Sequence, residues 1–350
     1  MSARAIVDLA ALRANVGLLS GSIAPARTML AVKANAYGHG LIPVATAGLA
    51  SGASSLAVLE IPAGLELRAA GVTAPLFAWL HGTNTDFRAG IEADIQLGVS
   101  AEWQLQAIAA AHAGKPATVH LKLDSGLSRN GATPADWPAL VSAALAAERA
   151  GIVRVRAAWS HLADASLEDD EAALAVFRDA VAVARSLGAR FEVLHLAASS
   201  AGIRMPAARF DFVRFGIAAY GISPFDDRSA ADLGVRPVMS LQADVVDLVD
   251  DPTGTFARLA VGYADGVASS ALGGAQVLLG GHRVRVVTLD VDSMLVETGE
   301  IVPSVGDSAL VFGPGDHGEP TAAEWANWAS TIGDEIVTHV AARVPRGYLG

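Results

Sequence analysis

The chain contains no cysteine, and its 350 residues include no long apolar run and no cluster of basic residues. The lack of cysteine excludes a disulfide framework and a thiolate metal site. A membrane span needs roughly 18–20 consecutive apolar residues, and Arg, Asp or Gly interrupts every apolar run here before that length. The net charge of -11 argues against nucleic acid as a partner. The first residues lack a secretory signal, so we expect a cytoplasmic protein without membrane or nucleic-acid partners.

Apolar residues make up 52% of the chain and charged residues only 17%. This composition is typical of a folded protein with a large hydrophobic core and not of a disordered chain. A length of 350 residues allows one large domain or two.

Short apolar and β-branched runs alternate with longer helical patterns through the first 220 or so residues, which is typical of parallel βαβ units. The first helix begins near Asp8, a suitable N-cap, and the clearest later helix covers Glu171–Leu187. Eight strands are predicted, near Met29–Val32, Ser55–Leu59, Pro75–Trp79, Ala93–Leu97, Val119–Asp124, Val153–Ser160, Glu192–Leu196 and Asp211–Phe215. This count predicts an α/β fold with a (β/α)8 TIM-like barrel, and a doubly wound open sheet is the structural alternative.

The pattern changes after Pro224, where a polar, loop-like stretch (FDDRSAADLG) begins. Beyond it come short alternating runs, which are SLQADVVDLV, TFARLAV, AQVLLGG, HRVRVVTLDV, MLVETG and SALVFG. They predict a mainly antiparallel β domain with one late helix near Ala322–Ser330. We place the barrel in residues 1–228 and the β domain in 229–350, with the first residues able to join the β domain.

The chain has three lysines, and one of them stands where a barrel enzyme places its chemistry. Lys115 lies in a polar turn, and Lys122 lies in an alternating strand. Lys33 follows the apolar run TMLAV, at the carboxyl end of the first predicted barrel strand. Partial desolvation there would lower the pKa of its amine and favour imine formation. A solvated surface lysine is the alternative interpretation from the residue alone.

The surroundings of Lys33 give the sequence its most specific signal. AVKANAYGHG resembles the cofactor-lysine motif of the alanine racemases, which are fold-type III enzymes that use pyridoxal 5'-phosphate (PLP). Further matches in order are LKLDSGLSRNG, WSHLADA, HLAASSAG, FDFVRFGIAAYGISP, LAVGYADGV, GEPTAAEW and RVPRGY. The resemblance therefore runs almost end to end. It implies that Lys33 forms the Schiff base with PLP and is the base on one face of the substrate Cα.

The same resemblance implies residues that hold the cofactor phosphate. Tyr37 would donate a hydrogen bond to it, and Ser199, Gly216 and Ile217 would supply a hydroxyl and two backbone N–H groups. A tyrosine packed at the barrel rim is the alternative for Tyr37. Ala198 stands where the family has an asparagine, so that edge of the phosphate site is altered.

Four more residues match positions near the ring and the substrate. Arg214 would face the pyridine nitrogen, and His161 would contact Arg214 and the ring. A guanidinium stays protonated, so it would keep that nitrogen neutral and favour racemase-like chemistry over decarboxylation. Arg129 would contact the substrate carboxylate, and Lys122 matches a lysine that some members carbamylate to hold this arginine. A structural ion pair is the alternative for Arg214, a structural histidine for His161, and a salt bridge for Lys122.

The second half of the expected site departs from the family. Racemization needs an acid/base on each face of Cα, and alanine racemases take the second from a tyrosine of the other subunit. The segment that should carry it is reduced to DDPTG. The four tyrosines, Tyr37, Tyr220, Tyr263 and Tyr348, all match other family positions. Val291 and Ala342 also replace a methionine and a tyrosine of the pattern.

Three functions stay open at this point. The first is a PLP-dependent racemase-like isomerase of a small amino acid, with Tyr263 as a substitute base ahead of His339 and Asp334. The alternative for Tyr263, which the resemblance implies, is a tyrosine that lines the entrance to the site. The second is a one-base enzyme on the same scaffold, with retro-aldol, β-elimination or other lyase chemistry. The third is a non-catalytic PLP-binding protein. The resemblance also implies a homodimer with sites shared between chains.

Overall fold

The structure is a computed structural model that describes residues 3–252 and 254–350. It begins with strand β1 (Arg4–Asp8) and helix α1 (Leu9–Ser22). The carboxylate of Asp8 accepts a hydrogen bond from the backbone N–H of Ala11 at 2.9 Å. Since this bond satisfies one of the free amides of the first turn, the predicted N-cap is confirmed.

Eight parallel strands form the first sheet, and they agree with the predicted strands to within a few residues. They are β2 (Arg27–Ala31), β3 (Ala53–Val58), β4 (Leu76–Ala78), β5 (Ile95–Val99), β6 (Ala117–Lys122), β7 (Val153–Trp159), β8 (Val193–His195) and β9 (Phe212–Phe215). Their order is β8-β7-β6-β5-β4-β3-β2-β9. The backbone of Asp211 donates to Leu194 O at 3.1 Å and that of Arg214 to Ala197 O at 3.0 Å. These bonds link the two ends of the sheet, and the predicted barrel is confirmed.

Helices connect most of these strands. They are α2 (Lys33–Tyr37), which is a short left-handed turn rather than a regular α-helix, α3 (Leu41–Leu49), α4 (Ile61–Ala69), α5 (Phe87–Glu92), α6 (Glu102–Ala110), α7 (Trp137–Arg149), α8 (Leu167–Ser186) and α9 (Ser199–Arg204). The hydroxyl of Ser166 caps α8 by accepting from Asp169 N at 3.0 Å. Short 3-10 turns follow at Pro206–Ala208, Ile217–Tyr220, Ala231–Leu233, Tyr263–Asp265 and Ser269–Ala271.

Large side chains fill the barrel interior. Phe77 and Trp159 meet edge to face with ring centroids 5.2 Å apart, within a buried cluster that also contains Met29 and Phe212. Such a packed interior leaves the chemistry to the ends of the strands, because a barrel of this size has no open pore.

The second sheet contains β1 and seven later strands. These are β10 (Met239–Asp251), β11 (Gly254–Leu259), β12 (Gln276–Leu279), β13 (His282–Leu289), β14 (Met294–Glu297), β15 (Ser308–Phe312) and β16 (Arg346–Leu349), with helices α10 (Ala322–Ala329) and α11 (Gly333–Thr338) after β15. Their order is β11-β14-β13-β12-β15-β10-β1-β16. Within the part of the sheet that the structure describes, only the pairing of β1 with β16 is parallel. The predicted mainly antiparallel domain is therefore confirmed, while β16 and α11 were not predicted.

The described chain divides into two compact units. The barrel unit holds Val16–Lys33 and Gly48–Gly216, and the β unit holds the residues up to Asn15, Ala34–Ala47 and Ile217–Gly350. The domain boundary near residue 228 stays a prediction. Among the described residues, no helix combines the length and the apolar character needed to cross a membrane.

Candidate active site

Basic side chains gather at the carboxyl ends of the barrel strands. Lys33 follows β2 by two residues, Lys122 ends β6, and Arg214 lies in β9. His161 follows β7 by two residues. Burial lowers the pKa of His161 well below its usual range, and it is lowered further by four cations, which are Arg214, Arg129, Lys122 and Lys33. These four cations are all predicted site residues, and all of them lie within electrostatic range of His161, which is a fifth.

The guanidinium of Arg214 is buried and held from two sides. Nη1 donates to His195 Nδ1 at 3.0 Å, and Nη2 donates to His161 Nδ1 at 2.9 Å. Nη2 also donates to the carbonyl oxygens of Ser160 and Leu196, each at 2.8 Å. None of these four partners is a carboxylate. Burial is the main cause that lowers the pKa of Arg214 to about 9, so the group remains a cation at neutral pH.

Lys122 is buried beside an amide and an indole. Its Nζ donates to Asn130 Oδ1 and lies 4.8 Å from the ring centroid of Trp159. Burial, followed by the charges of Arg129 and Arg214, lowers its pKa to about 7. A substantial fraction of this amine is thus neutral at physiological pH, while the side chain of Arg129 is exposed.

Ser199 and Gly216 lie next to each other. Ser199 is the first residue of α9, Gly216 follows β9, and both are buried. The N–H of Gly216 donates to Ser199 Oγ at 3.1 Å. Ala198 precedes the helix with extended backbone and caps it with no side-chain hydrogen bond. The hydroxyl and the amide expected to bind phosphate are therefore adjacent, and they bind one another in this structure.

The backbone becomes left-handed immediately after Lys33. Residues 34–37 all have φ between 50° and 55°, a conformation that costs about 1–2 kcal/mol for each residue other than glycine. Two hydrogen bonds of Asn35 hold the turn: its carbonyl accepts from Gly40 N at 2.9 Å and its Oδ1 from Leu41 N at 2.8 Å. Strain of this size is typical of segments that position functional groups.

Tyr37 belongs to the β unit, where it is almost fully buried. Its ring centroid lies 4.8 Å from that of Tyr220. Burial raises the pKa of the Tyr37 hydroxyl above its usual value, and the charge of Asp334 raises it further. The hydroxyl therefore stays protonated and is able to donate a hydrogen bond. Ile217, also in the β unit, is buried and begins the 3-10 turn after Gly216.

Tyr263 is presented on a rigid turn of the β unit and is 50% exposed. Its N–H donates to Asp290 O at 3.0 Å, and the carboxylate of Asp265 accepts from Gly262 N at 2.9 Å. A Cβ at Gly262 would lie 2.3 Å from the carbonyl oxygen of Val291, so only glycine allows this close approach. The phenol is held by its backbone and faces solvent.

The shortened segment forms a direct hairpin between β10 and β11. Asp251 pairs with Gly254, and the pairing continues back to Val245 opposite Leu259. Only residues 252 and 253 separate the paired ends, and neither is a tyrosine. Thr253, part of the predicted DDPTG link, lies outside the described residues. The connection therefore contains no segment that could carry a second catalytic tyrosine.

Three polar residues inside the barrel had no role predicted from the sequence. His195 binds Arg214, and Gln96 and His120 connect to His195 by further hydrogen bonds. The available signal was a polar residue at an inward position of an otherwise apolar strand, as in VHLKLD and LHL.

Arg346, in the RVPRGY motif, is another residue that was missed. Its Nε donates to the carbonyl oxygen of Gly38, at the end of the left-handed turn, at 3.0 Å. Its other nitrogens donate to the carbonyls of Val340, Ala341 and Val344. Arg346 thus ties the turn to the C-terminal segment of the β unit.

Comparison with known proteins gives a consistent result over the whole chain. The alanine racemase N-terminal domain family matches residues 7–224, and the alanine racemase C-terminal domain family matches residues 248–348. An alanine racemase of Frankia casuarinae is 42% identical over 367 residues, covering 99% of this chain and 96% of that protein. One of Thermobifida fusca is 41% identical over 369 residues, covering 99% and 98%. Both alignments exceed the 350 residues of this chain, so these relatives carry residues that it lacks.

Solved structures agree with the sequence matches. The alanine racemase of a D-cycloserine-producing Streptomyces lavendulae superposes with a TM-score of 0.97 at 40% identity, covering 100% of this chain and 97% of that one. The alanine racemase of Streptomyces coelicolor gives a TM-score of 0.97 at 41% identity, covering 100% and 98%.

Proposed function

The chain belongs to the alanine racemase family, and from that premise we propose that it is a PLP-dependent racemase acting at the Cα of a small amino acid through Lys33. The observation that carries the proposal is the position of Lys33. It follows the first barrel strand and lies within electrostatic range of His161, together with Arg214 and Lys122. This position, at the carboxyl end of a barrel strand, is where barrel enzymes place their chemistry.

The residues present fit PLP by their chemistry. The barrel unit offers an amine, a hydroxyl and backbone N–H groups beside an excess of positive charge, which suits a phosphate dianion. We assign the phosphate to Ser199 and Gly216 and, following the family pattern, to Tyr37 and Ile217. When bound, PLP supplies a conjugated ring that makes the Cα–H of an attached amino acid more acidic.

Arg214 has a defined task in this proposal. A guanidinium has donors and no acceptor, so a group that faces it must accept a hydrogen bond. Arg214 would therefore hold the ring nitrogen unprotonated. Arg214 would thereby favour racemase-like chemistry over decarboxylation. His161 supports this task, since its Nδ1 accepts from Arg214.

Lys33 would bind the cofactor and move the proton on one face of Cα. The exposed guanidinium of Arg129 is suited to the substrate carboxylate. Lys122 would help to hold Arg129 in place through its bond to the adjacent Asn130. With a pKa lowered to about 7, its neutral amine is also able to react with carbon dioxide, as the family resemblance implies.

Tyr263 is our candidate for the second face. Tyr37 and Tyr220 are buried against each other, whereas Tyr263 is half exposed on a fixed turn. In the family pattern the second base comes from the other subunit, so we also propose a homodimer. Sedimentation at micromolar concentration should give twice the monomer mass of 35.8 kDa, and monomer alone would contradict the shared site.

The β10–β11 hairpin favours a second candidate function, a one-base enzyme on the same scaffold. If Tyr263 does not act on Cα, Lys33 is left to work alone on one face, with retro-aldol or β-elimination substrates as the chemistry to examine. The deciding experiment incubates the PLP-loaded enzyme with L- and D-alanine separately in D2O and reads deuteration at Cα together with chirality. Exchange with interconversion supports the racemase. Exchange of one enantiomer with retained configuration supports the one-base enzyme.

A further inference from the structure

A row of hydrogen-bonded side chains crosses the barrel interior behind Arg214. Gln96 Oε1 lies 2.8 Å from His120 Nε2, and His120 Nδ1 lies 2.9 Å from His195 Nε2. His195 Nδ1 lies 3.0 Å from Nη1 of Arg214. The four residues come from β5, β6, β8 and β9. His120 and His195 are only 1% and 0% exposed, so the barrel closes around the row.

Arg214 fixes the direction of every bond in this row. A guanidinium can only donate, so His195 Nδ1 must accept and the proton of the neutral ring lies on Nε2. That proton is donated to His120 Nδ1, which places the His120 proton on Nε2. His120 Nε2 then donates to Gln96 Oε1, which also fixes the orientation of the Gln96 amide. If either histidine carried its proton on the other nitrogen, or if the Gln96 amide were flipped, two N–H groups would face each other at the next contact.

The surroundings hold both histidines neutral and in place. Burial lowers the pKa of His120 to about 3 and that of His195 well below its usual range. The ring of His120 stacks on Phe77 with centroids 4.5 Å apart, and His195 stacks on Trp159 at 5.5 Å. Each ring is therefore held both by an aromatic face and by its hydrogen bonds to its neighbours in the row.

We propose that Gln96 and His120 are positioning residues for Arg214 and act on it through His195. Gln96 accepts the hydrogen bond at the end of the row, and His120 accepts from His195 while it donates to Gln96. The Nδ1 lone pair of His195 then accepts from Arg214 and holds one side of the guanidinium. This inference deepens the proposed function, because Arg214 is the group expected to face the ring nitrogen. The competing explanation is that the two residues only fill the barrel.

Gln96 is the position at which to break the row with least damage. It lines a cavity of about 40 Å³ whose walls include Ser55, Arg156 and His120. Gln96→Met removes the acceptor at similar volume, and the cavity gives the new side chain room. Ser55→Ala is the matched control, since Ser55 lines the same cavity and its Oγ has no hydrogen-bond partner among the described residues. His120→Phe is a second variant that keeps a ring on Phe77.

The first measurement uses the PLP-free protein labelled with ¹⁵N. Two-bond correlation spectra of the histidine rings should show His120 and His195 as neutral rings with the proton on Nε2. The Nη hydrogens of Arg214 should be resolved and slow to exchange. In Gln96→Met the Nη signals should broaden and exchange faster, while Ser55→Ala should reproduce the wild-type spectrum. A proton on Nδ1 of either ring, or unchanged Arg214 signals in both Gln96→Met and His120→Phe, would overturn the proposal.

The second measurement uses the holoenzyme with ¹⁵N-labelled PLP. The shift of the ring nitrogen should change in Gln96→Met and His120→Phe and stay constant in Ser55→Ala. We expect kcat to fall roughly three- to ten-fold in both variants, the effect of one weakened hydrogen bond, with KM nearly constant. Equal ring-nitrogen shifts in all four proteins would contradict the positioning role. If the protein fails to bind PLP, the proposed function fails, while the PLP-free spectra still decide whether the row positions Arg214.

Discussion

The carboxyl ends of the barrel strands and the β10–β11 hairpin show opposite degrees of agreement with the family pattern. At the strand ends, Lys33, Lys122 and Arg214 are all present around His161. At the hairpin, two residues replace the segment expected to carry a tyrosine. The difference separates two requirements of the proposed function: the residues expected to hold the cofactor are present in the barrel unit, whereas the segment expected to supply the second base is missing at the hairpin.

The largest effect is expected from removing the Lys33 amine, which the proposed cofactor site in the barrel unit requires. Lys33→Ala should reduce turnover of alanine on the order of a thousand-fold and abolish the visible absorption band of lysine-bound PLP. Lys115→Ala is the control, because that lysine is exposed and paired with Asp94 at 2.6 Å. Absorbance spectra and a coupled racemization assay are the measurements. Normal turnover in Lys33→Ala would contradict the assignment of the whole site.

The next effect tests whether the β unit contributes a base at all. Tyr263→Phe should lower interconversion of the enantiomers on the order of a hundred-fold, while Cα exchange on the Lys33 face continues. Tyr348→Phe, at the other exposed tyrosine (40%), should keep both activities. Deuteration and chirality in D2O report the two faces separately. Full interconversion in Tyr263→Phe would remove Tyr263 as the base.

Much of the fold and the family could be predicted from the sequence, and the signal that allowed this differs between elements. The eight barrel strands followed from apolar runs between helical patterns, and the family and its PLP-dependent isomerase class, inferred from motifs, are confirmed. Strand β16 was missed because RGYL carries no alternating pattern. The residue roles and the boundary near residue 228 stay predictions.

Two features needed coordinates because no local signal encodes them. The row from Gln96 to Arg214 joins residues more than a hundred positions apart, which meet only when the barrel closes. The left-handed turn 34–37 contains two alanines, and alanine has no preference for positive φ. Asn35 was the one local hint, since asparagine tolerates this conformation better than most residues.

A smaller effect is expected on the pH dependence of stability, through the buried amine of Lys122 in the barrel unit. The pKa of Lys122 is lowered to about 7 by burial and by Arg129 and Arg214, so its charged form is disfavoured in the folded state. Between about pH 7 and the ordinary lysine pKa of about 10.4, Lys122 is protonated in the unfolded chain but mostly neutral in the folded one. The folded state is therefore destabilised by the full amount below pH 7, and this destabilisation disappears as the pH rises above 10.

Lys122→Met removes this titration and should therefore change the pH dependence of stability. Its free energy of unfolding minus that of the wild type should be most favourable below pH 7. The difference should fall by about 1.4 kcal/mol per unit of pKa shift as the pH rises to 10. Urea unfolding of both PLP-free proteins in buffer free of carbon dioxide gives the two curves. A constant difference across this range would show that Lys122 titrates normally.

The smallest effect tests whether strain is confined to the segment after Lys33. Ala34 is exposed with φ of 51°, so Ala34→Gly should relieve about 1–2 kcal/mol of strain and lose about 0.5–1 kcal/mol to backbone entropy. The net expectation is a gain in stability of roughly 0.5–1 kcal/mol. Ala175→Gly, at an exposed position of α8, should lose about 1 kcal/mol. The same substitution thus has opposite signs at the two sites in thermal unfolding. A loss of stability at both positions would mean that the turn is not strained, and a gain at Ala34 with slower turnover would show that its rigidity serves Lys33.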